Sequence, residues 1–235
     1  LGSVVKYVWR CDNKHEVPIE DLKKAEFYIQ ERDRPPLKES GLSMKHIHQF
    51  TWFDLFNQEE CDDICNLVGS SPMSKGQVLS VKTSLKDKLA RNCKLSWLYR
   101  DQDNSWIHDK IQNRVEHLNE RWLNFDLNGE MEALQYLEYG FGQFYNWHTD
   151  SGHEKVATRK LTCIIQLSDP SDYLGGRLQV NSHTQAPNGQ FVKFAPRSRG
   201  TAIVFPSHLM HLARPVWMGK RKALVAWFRG NNTLK

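Results

Sequence analysis

The chain has 235 residues, a formal net charge of +5 and an isoelectric point near 8.9, with eight Trp and eleven Phe. That length and aromatic content give enough apolar material for one well-buried core and argue against disorder. The basic excess is small and scattered, and the basic-aromatic motifs of nucleic-acid modules are missing, so neither composition nor motif points to nucleic acid.

No run reaches the roughly 20 apolar residues that span a bilayer, and no signal-peptide pattern opens the chain. Five cysteines, Cys11, Cys61, Cys65, Cys93 and Cys163, form an odd set with irregular spacing. This argues against a disulfide framework and for a reducing, cytoplasmic compartment. Leu1-Gly2-Ser3 reads as the remnant of a cleaved affinity tag.

In chain order, residues 4–45 are polar and charged and read as an N-terminal extension. The segment ends in Glu31-Arg-Asp-Arg-Pro-Pro-Leu37, where the proline pair forbids helix. Cys11 and His15 offer half a zinc site with no second pair nearby. From 46 to about 125 the pattern is helical with short strands. Asn57-Gln-Glu-Glu60 predicts a capping box opening a helix through Val68, on which Cys61 and Cys65 share a packed face. Ile107, Ile111, Val115, Leu118 and Trp122 predict one buried face of a helix over 105–122.

Beyond residue 130 the period changes. Apolar or alternating runs at 131–139, 161–167, 176–180, 191–194, 200–205 and 223–228 are punctuated by Gly and Pro, including Pro187-Asn-Gly189. Many short strands with turn signals predict a sandwich or barrel, and helices preceding strands predict helices packed outside it.

Within this region, Tyr139-Gly-Phe-Gly-Gln-Phe-Tyr-Asn-Trp-His-Thr-Asp150 places an imidazole and a carboxylate two residues apart. On a strand, His148 and Asp150 would face one side and converge on one ion, as two thirds of a 2-His-1-carboxylate triad. A second segment, from Gly200 to Phe228, runs through an apolar strand, Phe205-Pro-Ser, His208 and His211, a turn at Gly219, and a basic residue entering another apolar strand. Arg221 shares parity with Ala223, Val225 and Trp227, while Lys220 and Lys222 flank it, so Arg221 is expected to point inward. A planar guanidinium there suits bidentate capture of a carboxylate.

Together these segments resemble the prolyl 4-hydroxylase-like family of Fe(II)/2-oxoglutarate oxygenases, in its bacterial and phage-type members. The resemblance covers about 130–229 and rests on Leu134-Gln-Tyr-Leu-Glu-Tyr139, Tyr145-x-x-His148-x-Asp150 and Arg159-Lys-Leu-Thr-Cys-Ile-Ile-Gln-Leu-Ser168. It continues through Gly175-Gly176-x-Leu178, Phe205-Pro-Ser-x-x-x-His211 and Arg221. Arg91-Asn-Cys-Lys-Leu-Ser-Trp-Leu98 and the helix at Trp106 look like the family's support region.

The resemblance implies a mainly β fold with flanking helices (α+β): a double-stranded β-helix, or jelly-roll, core with N-terminal support helices. It divides the chain into the extension, 1–45, and a dioxygenase domain, 46–235. It implies Fe(II) on His148, Asp150 and His211, with His208 as the rival ligand. The 2-oxoglutarate pocket would be formed by Arg221, Tyr139, Thr162 and Trp227, with Tyr145 near the substrate entrance. His108, His153 and His183 fall outside any ligand spacing. Gln166 stands where some prolyl hydroxylases carry a tyrosine for the remote carboxylate. The implied reaction is hydroxylation of a peptidyl proline with O₂, releasing succinate and CO₂, with ascorbate among the cofactors and a peptide or protein as partner. The presence of Asp150 favours hydroxylation over the chemistry of related halogenases, which lack that carboxylate. A lysyl side chain, a small molecule or a nucleobase as substrate, or a non-catalytic binding module, are the alternative readings.

Overall fold

In the computed structural model the described residues are 50–69, 74–75, 90–152, 156–181 and 192–232. The expectations for Cys11 and His15, the Pro35-Pro36 turn, His153, His183 and Pro187-Asn-Gly189 lie outside them. Cα clustering separates Leu1–His46 from Ile47–Lys235, and everything described belongs to the second unit.

That unit begins with β1 (Thr51–Asp54), helix α1 (Gln58–Gly69), β2 (Ser74–Lys75), β3 (Arg91–Asn92) and β4 (Lys94–Leu98). Helix α2 (Ser105–Leu118) follows. Next come β5 (Leu134–Tyr139), β6 (Phe144–His148), β7 (Arg159–Gln166), β8 (Tyr173–Gly175) and β9 (Leu178–Asn181). The last five strands are β10 (Val192–Phe194), β11 (Thr201–Pro206), β12 (His211–Ala213), β13 (Val216–Gly219) and β14 (Arg221–Arg229).

The strands form a seven-stranded antiparallel sheet, β1-β11-β7-β14-β5-β4-β2, and a five-stranded one, β10-β9-β12-β6-β3, with β13 paired to β8. This is the expected jelly roll with helices before it. Among the described residues no helix is long and apolar enough to cross a membrane, and Cys61, Cys65, Cys93 and Cys163 are free.

The large sheet is buried on both faces, which is why its strands read as near-continuous apolar runs. On β14, Leu224, Ala226 and Phe228 turn outward and pack with Ile64 and Val68 of α1 and Ile107, Ile111 and Val115 of α2. Ala223, Val225 and Trp227 turn inward with Leu137, Tyr139, Ile164 and Phe205, against Leu178, Val180 and Ala213 of the small sheet. Register then fixes which polar groups share the interior. Arg221 lies opposite Tyr139, Ala223 opposite Gln166, and Trp227 opposite Thr162.

The capping box forms as predicted. The Asn57 backbone N–H donates to Glu60 Oε2 at 2.8 Å, and the Glu60 N–H donates to Asn57 Oδ1 at 2.9 Å. Such a box contributes about 1 kcal/mol. The second helix differs from expectation: it leaves α geometry at Leu118 and continues as a π-helical turn, Asn119–Leu123. The Asn119 amide explains this, because it donates to Phe125 O and accepts from Phe125 N–H, and Asn124 closes the turn at φ 54°. The strand expected from 131 begins at Leu134, leaving Met131 a lone bridge to Phe228.

Gly200 (φ +80°) joins β11 to the end of β1. Its carbonyl accepts from the N–H groups of Leu55 and Phe56, and a Cβ there would stand 1.8 Å from Phe56 O. Gly200→Ala should therefore cost at least about 2 kcal/mol, combining left-handed strain with a backbone clash. Urea unfolding of the variant beside wild type measures this; a cost below half that figure would contradict the turn geometry.

Candidate metal centre and cosubstrate pocket

Three candidate ligands meet at the open end of the barrel. His148 ends β6, His211 begins β12, and the two are register partners. Asp150 follows two residues after His148. One ligand atom from each of the three falls within 4.8 Å of the others, and among the described residues this is the one such group of His, Cys, Asp or Glu. His148 Nε2 lies 3.6 Å from Asp150 Oδ1, and His211 Nε2 lies 3.4 Å from Asp150 Oδ2.

Asp150 arrives by a different route from the strand alternation expected. The strand stops at His148, and the chain turns so that the N–H groups of Asp150 and Ser151 both donate to Ser207 O, at 2.9 and 3.0 Å. The side chain is held as well. Thr162 Oγ1 donates to Asp150 Oδ2 at 2.9 Å, so at the 3.0 Å Thr162–Ser207 contact the Ser207 hydroxyl must be the donor. Sequence reasoning placed Thr162 beside the cosubstrate and passed over Ser207. The structure gives Thr162 the Asp150 carboxylate as its partner. Ser207 was visible only as the serine of the Phe-Pro-Ser segment.

Each imidazole is pre-set as a ligand. His148 Nδ1 is 2.7 Å from Asn146 O and His211 Nδ1 is 3.0 Å from Leu209 O. A carbonyl only accepts, so in both rings Nδ1 carries a proton, which leaves Nε2 as the atom each ring can offer to a metal. Burial is the largest influence on His148 and, with His211 beside it, pushes its imidazole down to about 3 against an upward pull from Asp150. Burial alone would raise the Asp150 carboxyl. The proximity of His211, then His148, and the Trp227 indole outweigh it and hold the group far below the usual carboxylate range. The Trp227 N–H is aimed at this carboxylate but makes no hydrogen bond of ordinary geometry. Two imidazoles and one carboxylate are the donor set that suits Fe(II) with open coordination positions.

The predicted neighbours divide clearly. Tyr145 stacks on the His148 ring at 3.4 Å and 14°, and burial pushes its hydroxyl up to about 12. Phe205 meets His211 edge-on at 4.8 Å. Trp227 is buried beneath the Arg159 guanidinium, 3.9 Å away, which itself is held bidentately by Glu132. Deeper in the barrel, Arg221 is 2% exposed and lies 5.4 Å from the centre of the buried Tyr139 ring. Gln166 fixes it: Oε1 accepts from Arg221 Nε and Nη2, at 3.2 and 3.0 Å, while Gln166 Nε2 donates to Pro196 O. The residue that departs from the family pattern thus becomes the guanidinium's holder. Gly176 leaves room for the arginine stem, since a Cβ there would approach Arg221 Cδ to 3.2 Å. His208 is exposed and apart from the triad, and His108 is buried against α2's surroundings as a helix residue.

A jelly roll that converges two histidines and a carboxylate, with a buried arginine in the same interior, is the arrangement that the resemblance to 2-oxoglutarate oxygenases led one to expect. Residues 134–229 match the family model described as the 2OG-Fe(II) oxygenase superfamily, and residues 1–30 match that of a family of unknown function, DUF3310. A PKHD-type hydroxylase of Sphingopyxis alaskensis is 32% identical over 116 residues, 47% of this chain and 50% of that protein. Another, from a Synechococcus species, is 28% identical over 104 residues, 44% and 45% of the two chains. The chain thus spans about half the length of the curated relatives it matches. Among solved structures, a Pseudomonas putida prolyl-4-hydroxylase superposes with a TM-score of 0.61 at 15% identity, over 79% of this chain and 94% of that one. A Trichoplax adhaerens prolyl hydroxylase, solved with a hypoxia inducible factor peptide fragment, gives 0.62 at 19% identity, over 77% and 84%. These matches bear out the resemblance to prolyl 4-hydroxylase-like 2-oxoglutarate oxygenases read from the sequence.

The ligand assignment is tested with Co(II) as a spectroscopic stand-in for Fe(II). His148→Ala and His211→Ala should each weaken Co(II) binding by more than the roughly 10- to 100-fold typical of losing an outer partner. His208→Ala should bind within about 3-fold of wild type. The reverse pattern at 208 and 211 would overturn the assignment.

Proposed function

We propose that this chain is an Fe(II)- and 2-oxoglutarate-dependent dioxygenase that hydroxylates a peptidyl proline and releases succinate and CO₂. The observation that carries this reading is the shared interior: Phe205 and Trp227 beside the triad, and Tyr139 beside the cation Arg221, belong to one inner cluster. A dicarboxylic 2-oxoacid bound between them would place one carboxylate and its oxo group at the metal and the other on Arg221. When bound, iron and cosubstrate supply the oxidation by O₂, with ascorbate as the reductant that keeps the iron ferrous.

The residues of this chain hold and orient. His148, Asp150 and His211 form the ligand set. Thr162 and Ser207 hold the carboxylate, Gln166 aims Arg221, and Trp227 and Tyr145 wall the space above the ligands. Burial of Tyr139, Phe205 and Trp227 keeps water from the reacting position. Proline as the substrate is supported by the prolyl hydroxylases among the structural neighbours, one of them bound to a peptide. A turnover screen of a peptide library tests it, with succinate appearing in step with a product about 16 Da heavier. Succinate formed with a lysyl peptide or a nucleobase instead would move the substrate while keeping the chemistry.

Arg221→Ala should raise the apparent KM for 2-oxoglutarate by roughly 30- to 1,000-fold, the loss of a charge-assisted pair worth about 2–4 kcal/mol. Metal binding should stay within about 3-fold, because Arg221 touches none of the ligands. Steady-state kinetics beside a Co(II) titration reads both, and an unchanged KM would remove Arg221 from the cosubstrate site.

A further inference from the structure

Three arginines are buried among the described residues: Arg91, Arg159 and Arg221. Arg159 has a carboxylate partner in Glu132, at 2.6 Å. The other two have none, and they are built alike. Arg221 is held by the amide oxygen of Gln166, and Arg91 Nη2 donates to the amide oxygen of Gln135 at 2.8 Å. The remaining partners of Arg91 are also neutral: Cys93 Sγ accepts from Nε at 3.2 Å, and the Tyr145 ring lies 4.6 Å from its Cζ. Burying an unpaired cation is costly, and a neutral amide repays only part of it. Such a charge persists where it has an anion to receive.

Its position says which anion. Arg91 lies on the edge strand β3, opposite Tyr145 of β6. Tyr145 is stacked between the guanidinium and the ligand imidazole of His148. Arg221 lies 5.4 Å from the Tyr139 ring, and Tyr139 shares one buried cluster with Cys93 and Tyr145, the neighbours of Arg91, so both arginines border one interior. Under the function proposed above, a divalent ion, Asp150, a dianionic cosubstrate and Arg221 neutralise one another. Arg91 is the cation left over, and it lies beside Tyr145, the ring stacked on His148.

We propose that Arg91 is a receptor for a carboxylate of the molecule being oxidised, so that the substrate carries a negative charge beside its reacting carbon. The charge is an α-carboxylate or the side chain of an adjacent acidic residue, received at the guanidinium that lies 4.6 Å from the Tyr145 ring. Gln135 holds the guanidinium in position and Tyr145 orients its plane. This inference rests on the oxygenase reading for which part of the cavity the cosubstrate fills, and on the geometry of Arg91 for the rest.

The test is calorimetric titration of protein loaded with Co(II) and 2-oxoglutarate, using two probe pairs. One pair is N-acetyl-L-proline and its carboxamide; the other is acetyl-Pro-Glu-amide and acetyl-Pro-Gln-amide. Wild type should bind the acidic member of at least one pair about 10-fold or more tighter than the neutral one. Arg91→Gln should level that pair, and Arg91→Lys, which keeps the charge without the fork, should lose at least about 3-fold of the preference. Affinity for 2-oxoglutarate should stay within about 3-fold in both variants. No acidic preference in wild type, a preference that survives both substitutions, or a collapse of 2-oxoglutarate affinity instead would each overturn the proposal. A wild-type protein that takes up no Co(II) and 2-oxoglutarate would fail the oxygenase reading separately, and the same probe pairs titrated into the metal-free protein would still decide Arg91.

Discussion

Two imidazoles and a carboxylate converge on one place, and the rest of the barrel is arranged to hold them there. Two backbone carbonyls, Asn146 O and Leu209 O, take the Nδ1 protons and leave both Nε2 atoms for a metal. Ser207 anchors the aspartate twice, through its carbonyl on the main chain and through Thr162 on the side chain. These fixed contacts mean that little reorganisation is left for metal binding to supply. The packing of two sheets and two helices is what keeps the carbonyls and Ser207 where they are.

The same interior separates two kinds of buried cation. Arg159 is neutralised by Glu132 and serves as a plate under Trp227. Arg221 is matched only by an amide dipole, so under the proposed function a cosubstrate carboxylate would gain a full charge interaction without displacing another anion. A glutamine does this better than an acid would, since a glutamate at 166 would satisfy the guanidinium permanently. The departure from the tyrosine pattern at this position therefore keeps the receptor open.

Much of this was legible in the sequence because it obeys short periods. The parity of β14 separated Arg221 from Lys220 and Lys222, and the structure keeps that separation, with Arg221 buried and its neighbours turned outward. The capping box at Asn57 and the buried face of α2 followed from local spacing alone. What escaped was whatever depends on contacts distant in sequence. Ser207 meets Asp150 only because β11 and the turn after β6 are brought together, and Gln135 meets Arg91 across 44 positions. The π-helical turn was hidden because the apolar spacing continues to Trp122 while one side-chain amide, on Asn119, redirects the backbone.

One turn on the outside of the molecule governs the polarity of its inside. Gly219 (φ +71°) packs so closely that a Cβ would lie 1.9 Å from Asp172 O, and the chain enters β14 two residues later. Strand pleating is binary, so the length of this turn sets the phase of everything that follows it. With the phase as it is, Arg221, Ala223, Val225 and Trp227 form the chamber wall. Advanced by a single residue, the wall would instead consist of Lys222, Leu224, Ala226 and Phe228, a greasy lining with a flexible ammonium at its rim. A tight glycine corner that itself touches no ligand thus acts as the phase key of the interior, and variation in turn length there exchanges one inner surface for another in a single step.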